Sequence, residues 1–164
     1  MKSIGLFLKF IFWLVLTQQT LGQTIWNING AHSNINFAIQ WEDFAFRTGE
    51  FKLFGGKIEA PNGQDLKDAR VQLNIMVAGV DLIAEKLSKM LQNAEYLDSA
   101  RCPMITFTCD QLKKKKKNTY QANGMLTVRC VPQQVVFDVE LLGMKENYAA
   151  LKVTGLLQKS QLGI

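Results

Sequence analysis

The stretch Ala31 to Trp41, AHSNINFAIQW, decides the fold. From Asn34 it alternates without a break, with Ile35, Phe37, Ile39 and Trp41 on one side and Asn34, Asn36, Ala38 and Gln40 on the other. Successive side chains of an extended strand face opposite ways, so this is a β-strand with one large apolar face. A helix would scatter the same residues around its circumference. The period of two returns at Val71, Leu73, Ile75 and Val77, at Ile105, Phe107 and Cys109, and at Val135, Phe137, Val139 and Leu141. Such strands bury their apolar faces against one another, in a sandwich or a closed barrel.

Outward from that stretch, residues 24–29 make a short first strand ended by the Asn29-Gly30 turn. Residues 42–47 carry Phe44 and Phe46 out of the strand, and residues 50–60 form the next one, with Phe51 and Leu53 on one face. Gly55-Gly56 marks a bulge or sharp bend where the sheet can curl. After Pro61-Asn62-Gly63, residues 68–78 are the fourth strand. Then the period lengthens: Leu82, Ile83, Leu87, Met90 and Leu91 make the apolar face of a helix over 82–93, with Asp81 as N-cap. Strands return over 104–112, 120–129, 134–143 and 148–159. The expected fold is all-β, an eight-stranded antiparallel barrel with one helix between strands.

The N-terminus reads as a separate signal. Lys2 and Lys9 flank a basic region, Phe10 to Leu16 is an apolar run, and Thr20-Leu21-Gly22 supplies small residues for a signal peptidase. Residues 1–22 are thus expected to be a signal peptide and 23–164 one domain, periplasmic or secreted. The run is far shorter than the roughly 20 residues that span a bilayer. Of the 164 residues, with net charge +5, two lysines leave with the signal. Three cysteines remain, Cys102, Cys109 and Cys130, and an oxidising compartment permits one disulfide. A hairpin joining 105–112 to 120–129, with Leu112 near Tyr120, brings Cys102 opposite Cys130. Three reduced, partly buried thiols are the alternative.

Chemistry has few footholds. His32 is the single histidine, and no H-E-x-x-H or paired C-x-x-C spacing is present, so neither metal nor cofactor is expected. His32 either bonds the adjoining turn or lines the barrel mouth. There is no G-x-S-x-G elbow and no glycine-rich phosphate loop, Cys109 has no evident base, and Asp81 and Asp98 suit a helix cap and a turn. The reading is of a non-enzyme. Lys113, Lys114, Lys115, Lys116 and Lys117 form a hairpin tip, either a solvated turn or a contact with an anionic membrane surface. The run lacks the interleaved aromatics of a nucleic-acid site.

Six motifs in order, His32-Ser33-x-Ile35-x-Phe37, Gly49-x-Phe51, Gly79-Val80-Asp81, Ala94-Glu95-Tyr96-Leu97-Asp98, Pro103-x-Ile105-x-Phe107 and Gly124-x-Leu126-Thr127, resemble the YceI-like polyisoprenoid-binding family. The resemblance implies a lipocalin-like barrel enclosing a long isoprenoid amphiphile of quinone or prenylphenol type, for carriage or storage. Where the family usually shows Arg-Asp-x-His-Leu, this chain has Leu87-Ser88-Lys89-Met90-Leu91. Where the family usually continues to one more closing strand, this chain stops at Ile164, so the expectation is either a truncated polypeptide or a barrel left with an unpaired edge.

The resemblance gives the inward faces a ligand. Ile35, Phe37, Ile39, Phe51 and Leu53 would line it from the first strands, and Leu73, Ile75 and Val77 from the fourth. Phe107, Leu126, Phe137 and Val139 would line it from the later strands, with Leu87, Met90 and Leu91 as a helical lid. Without a ligand the same residues suit a packed core. The competing readings are a ligand-free structural or stress-related barrel, and an enzyme on a small lipid or redox substrate using His32 or Cys109. A homodimer is a further option.

Overall fold

Residues 22–42, 45–145 and 148–162 are described by the structure, a computed structural model. Most of the expected signal segment, Phe44, the side chain of Trp41 and the last two residues lie outside the described residues.

Strands β1 (Thr24–Asn27) and β2 (Ile35–Glu42) lie end to end along one neighbour. That neighbour is β3 (Ala45–Phe51) followed by β4 (Phe54–Ala60), with β2 paired to β3 and β1 to β4, both antiparallel. The pattern repeats on the next stave, where β5 (Arg70–Met76) pairs with β4 and β6 (Val80–Leu82) with β3. A 3-10 turn at Val77–Gly79 bends this stave level with the Lys52-Leu53 break. Across the bend Lys52 N–H donates to Gly79 O and Met76 N–H to Leu53 O, so the two staves kink together without losing contact.

The meander continues through β7 (Met104–Cys109), β8 (Leu112–Lys116), β9 (Thr119–Val128), β10 (Val131–Lys145) and β11 (Tyr148–Thr154). Strands β7 and β8 both pair with β9, which pairs with β10, and β10 pairs with β11. The result is a nearly closed antiparallel barrel with a helix, α1 (Glu85–Leu91), on its rim and a final turn of helix, α2 (Lys159–Leu162). The eight expected strands become eleven segments among the described residues because bends break the long staves. Two of the additions, β3 and β6, lie in stretches that sequence reading placed outside strands.

Several local expectations are corrected. Gly55 and Gly56 sit in unbroken register with Asn74 and Leu73, so the bend is at Lys52-Leu53 instead. Gly56 serves close approach, since a Cβ there would run into the Gln72 carbonyl. Asp81 is not a helix cap but a residue of β6 ion-paired with Lys52, and the N-cap is Ala84 with no side-chain bond. Helix α1 is shorter than expected because Leu82 is held in β6. The last strand stops at Thr154, where Gly155 lies under the Phe137 ring.

Lys113 to Lys116 form strand rather than turn, with a bulge between Lys114 and Lys116, and Leu112 pairs with Ala122 rather than Tyr120. The hairpin nevertheless brings Cys102 to Cys130, joined in a disulfide, and leaves Cys109 a buried free thiol. Burial pushes that thiol's pKa up, which keeps it unreactive.

One end of the barrel is plugged by the loop between β4 and β5. Leu66 and Ala69 are fully buried there, and Leu112 N–H donates to Ala69 O while Asp68 N–H donates to Leu112 O. Asp65 locks the plug to the sheet, accepting from Tyr120 Oη and from Lys114 Nζ, the latter at 2.6 Å.

Candidate ligand-binding site

Solvent access divides the barrel interior into two halves. The residues between strands β4 and β9 are well covered: Ile75, Val77, Phe107 and Leu126 are buried, as are Val139 on β10 and Leu91 on α1. The inward residues nearer the sheet's ends, Ile35, Phe37 and Ile39 on β2, Phe51 on β3 and Phe137 on β10, pack on that core yet remain partly accessible. Leu73 and Leu87 do the same. Between them Asn36, Ala38 and Gln40 are exposed, so the alternation is an in-out one and the access is to the interior face. The cause is topological. Among the described residues β2 pairs only with β3 and β11 only with β10, so the barrel keeps an opening between its two end staves.

Three interior rings occupy the space that a side chain would take at a glycine. Phe37 pairs directly with Gly49, where a Cβ would stand 2.6 Å from its Cζ. A Cβ at Gly124 would stand 2.6 Å from the Phe107 ring, and one at Gly155 would run into the Phe137 ring. Phe37 and Phe51 stack tilted at 5.1 Å, and Phe107 meets Phe137 edge-on at 5.1 Å. Rings folded onto glycines hug the wall and project less across the hollow.

Beneath α1 lies a cavity of about 90 Å³, lined by Ile39, Arg47, Leu82, Leu87, Met90 and Leu91. It is smaller than the roughly 150 Å³ that accommodates a benzene ring. Helix α1 is fastened over the cavity by Ser88, which is buried: Leu82 N–H donates to its Oγ at 2.8 Å. A polar residue in the middle of a lid helix is thereby accounted for.

Four of the expected site residues, Ile39, Leu87, Met90 and Leu91, line the cavity together. Leu53 does not join the site: it is 49% exposed, because the break at Lys52-Leu53 reverses the alternation and turns Phe54 and Ile58 toward the core instead. Ile83, expected on the apolar face of the helix, is fully exposed. Arg47 and Leu82 were missed. Arg47 has the parity of Gly49 and Phe51, a signal hidden by reading residues 42–47 as leaving the sheet.

His32 is exposed in the turn before β2, its N–H donating to Asn29 O at 3.0 Å. Among the described residues no group of three or more His, Cys, Asp or Glu side chains could hold a metal. Of the lysine run, Lys114 is tied to Asp65, and Lys115 and Lys116 share an open groove with Asp138 and Glu140.

A YceI-like domain model matches residues 26–164. Protein YceI of Salmonella newport is 30% identical over 118 residues, 72% of this chain, and the chain spans 61% of that relative's length. Among solved structures, BcnA of Burkholderia cenocepacia superimposes with a TM-score of 0.72 at 20% identity, covering 84% of each chain. The Campylobacter jejuni YCEI protein gives 0.65 at 20% identity over 82% of this chain and 81% of that one. A polyisoprenoid binding domain from Saccharophagus degradans, implicated in plant cell wall breakdown, gives 0.52 at 15% identity, over 69% and 64%.

Proposed function

The chain belongs to the YceI-like domain family, and from that premise we propose that it is a binding protein, not an enzyme, for a long isoprenoid amphiphile. The carrying observation is the row of inward, partly accessible apolar side chains on β2, β3 and β10 beside an opening in the barrel. Covering such a row removes apolar area from water at roughly 25 cal/mol per Å², before the cost of ordering the chain. The tail lies along that row and one end enters the cavity under α1. The fold shared with the polyisoprenoid binding domain from Saccharophagus degradans supports the choice of ligand. A quinone or prenylphenol is the proposed type, held for carriage or storage.

Export is part of the proposal. The N-terminal signal pattern supports it, and so does the Cys102–Cys130 disulfide, which suits an oxidising compartment. An intact mass beginning at Gln23 is expected for protein recovered from the periplasm or medium. Lys113, Lys115, Lys116 and Lys117, all exposed, are proposed to meet an anionic membrane surface when the ligand is exchanged.

Native mass spectrometry of protein from the producing cells, with organic extraction, tests the central reading. A released prenyl lipid is expected. Recovery of unliganded protein alone, with no uptake of added quinone or prenylphenol, would leave the ligand-free packed barrel as the answer.

A further inference from the structure

The cavity under α1 contains one chemical exception. Five of its six lining residues, Ile39, Leu82, Leu87, Met90 and Leu91, are apolar, and the sixth is Arg47. Arg47 pairs with Ile39 in the β2–β3 register, and directly paired residues on antiparallel strands share a face. Its side chain shares the face of Gly49 and Phe51 and lines the cavity, yet Arg47 is exposed to solvent, as is Phe46 beside it. An arginine in this row serves no packing need that a leucine would not meet better. Its stem can line the apolar wall while the guanidinium sits at the rim.

Two acids on the elements that form the cavity, one on β6 and one on α1, are already engaged. Asp81 is paired with Lys52, and Glu85 with Lys89 at 2.8 Å. Among the side chains that the structure describes, which do not include Glu42 or Asp43, no carboxylate forms an ion pair with Arg47.

We propose that Arg47 is the head-group receptor of this site, donating to the head's oxygen, so that amphiphiles with one tail are ranked by the acceptor strength of their head: the neutral oxygen of a quinone or phenol is bound, and an acidic phosphate or carboxylate is bound more tightly. This rests on the isoprenoid reading above and specifies its polar end. A guanidinium binds such groups through two parallel N–H donors, in a geometry that an ammonium does not reproduce. Beside apolar walls the bond is less weakened by water than on an open surface. Apolar contacts hold the tail, and Arg47 selects the head.

The test uses the full processed protein and three ligands with one tail: geranylgeranyl phosphate, geranylgeranoic acid and geranylgeraniol. Dissociation constants are measured for the wild type, Arg47→Leu and Arg47→Lys, with thermal unfolding as a control for folding. The wild type is expected to bind both acids at least about tenfold more tightly than the alcohol, the scale of one charge-assisted hydrogen bond. Arg47→Leu should remove that difference, bringing the affinities for both acids down to that for the alcohol measured on the same variant, and Arg47→Lys should restore part of it. Equal binding of acids and alcohol by the wild type, or a preference that survives Arg47→Leu, would overturn the role of Arg47 and leave the isoprenoid reading standing. Binding of none of the three by the wild type would overturn both.

Discussion

At Gly49 a single hydrogen decides how the interior is shaped. A Cβ there would stand 2.6 Å from Phe37 Cζ, 2.9 Å from the Asp81 carbonyl and 3.1 Å from Leu82 Cγ, in a strand pairing that cannot spread without losing β6. Gly49→Ala should lift the Phe37 ring off the wall and cost about 1–3 kcal/mol, the range for overpacking, read as a lower denaturant midpoint. Asp65 is decisive in another way. Burial alone would raise its carboxyl, but hydrogen bonds from Lys114, Tyr120 and the Lys67 backbone outweigh that and lower the pKa from 3.8 to about 2. A depressed carboxylate stabilises the fold above its unfolded pKa and loses that contribution as pH falls through the folded one. The plug should therefore weaken between about pH 4 and pH 2, by on the order of 1–2 kcal/mol after allowance for solvent screening. Asp65→Asn should remove this part of the acid dependence, seen by comparing denaturant midpoints across that range. Parity at the residue scale was legible for Ile35, Phe37 and Ile39, whose alternation is unbroken. It was not legible for Leu53, because the reversing break at Lys52-Leu53 is made by pairing with β6 and the 3-10 turn, neither of which has a local sequence signature.

Helix α1 is an element held by one side chain as much as by its own sequence. Its seven residues are too few to be stable alone, and its N-cap offers no side-chain bond. Ser88 supplies the attachment to β6 through the Leu82 N–H. Ser88→Ala would strand that buried donor, so a loss of about 1–3 kcal/mol is expected, together with faster amide exchange over residues 85–91. Unchanged exchange would show that Leu87 and Leu91 suffice to seat the helix. From sequence the helix was recognisable by its period of Leu87, Met90 and Leu91, but its start was misplaced. Leu82 and Ile83 fit the helical spacing equally well, and pairing with Gly49 takes Leu82 into the sheet and leaves Ile83 in solvent.

For the whole molecule, the uneven core predicts uneven stability. Strands β5, β7 and β9 have sheet neighbours on both sides and buried faces, whereas β2 and β11 each have one among the described residues. Amide exchange should be slowest in β7 and β9 and fastest, among the strands, in β2 and β11. A bound amphiphile lying along Ile35, Phe37 and Phe137 should slow exchange in β2 and β10 selectively. Uniform protection of all strands in the free protein would mean that the barrel's two end staves are closed against each other. An exposed strand edge is also an association hazard, and exposed Tyr148 and Val153 on β11 add apolar surface to it.

The amino-acid sequence by itself determined the strand alternation, the single rim helix, the absence of familiar metal and catalytic spacings, and most of the inward residues. These follow from period and composition, which are properties of neighbours along the chain. Tertiary structure alone decided where the staves kink, that Arg47 rather than Leu53 reaches the cavity, that rings lie on Gly49, Gly124 and Gly155, and how little enclosed space remains. Those outcomes depend on which strand pairs with which and in what register, and pairing energies between distant segments leave no mark on local alternation.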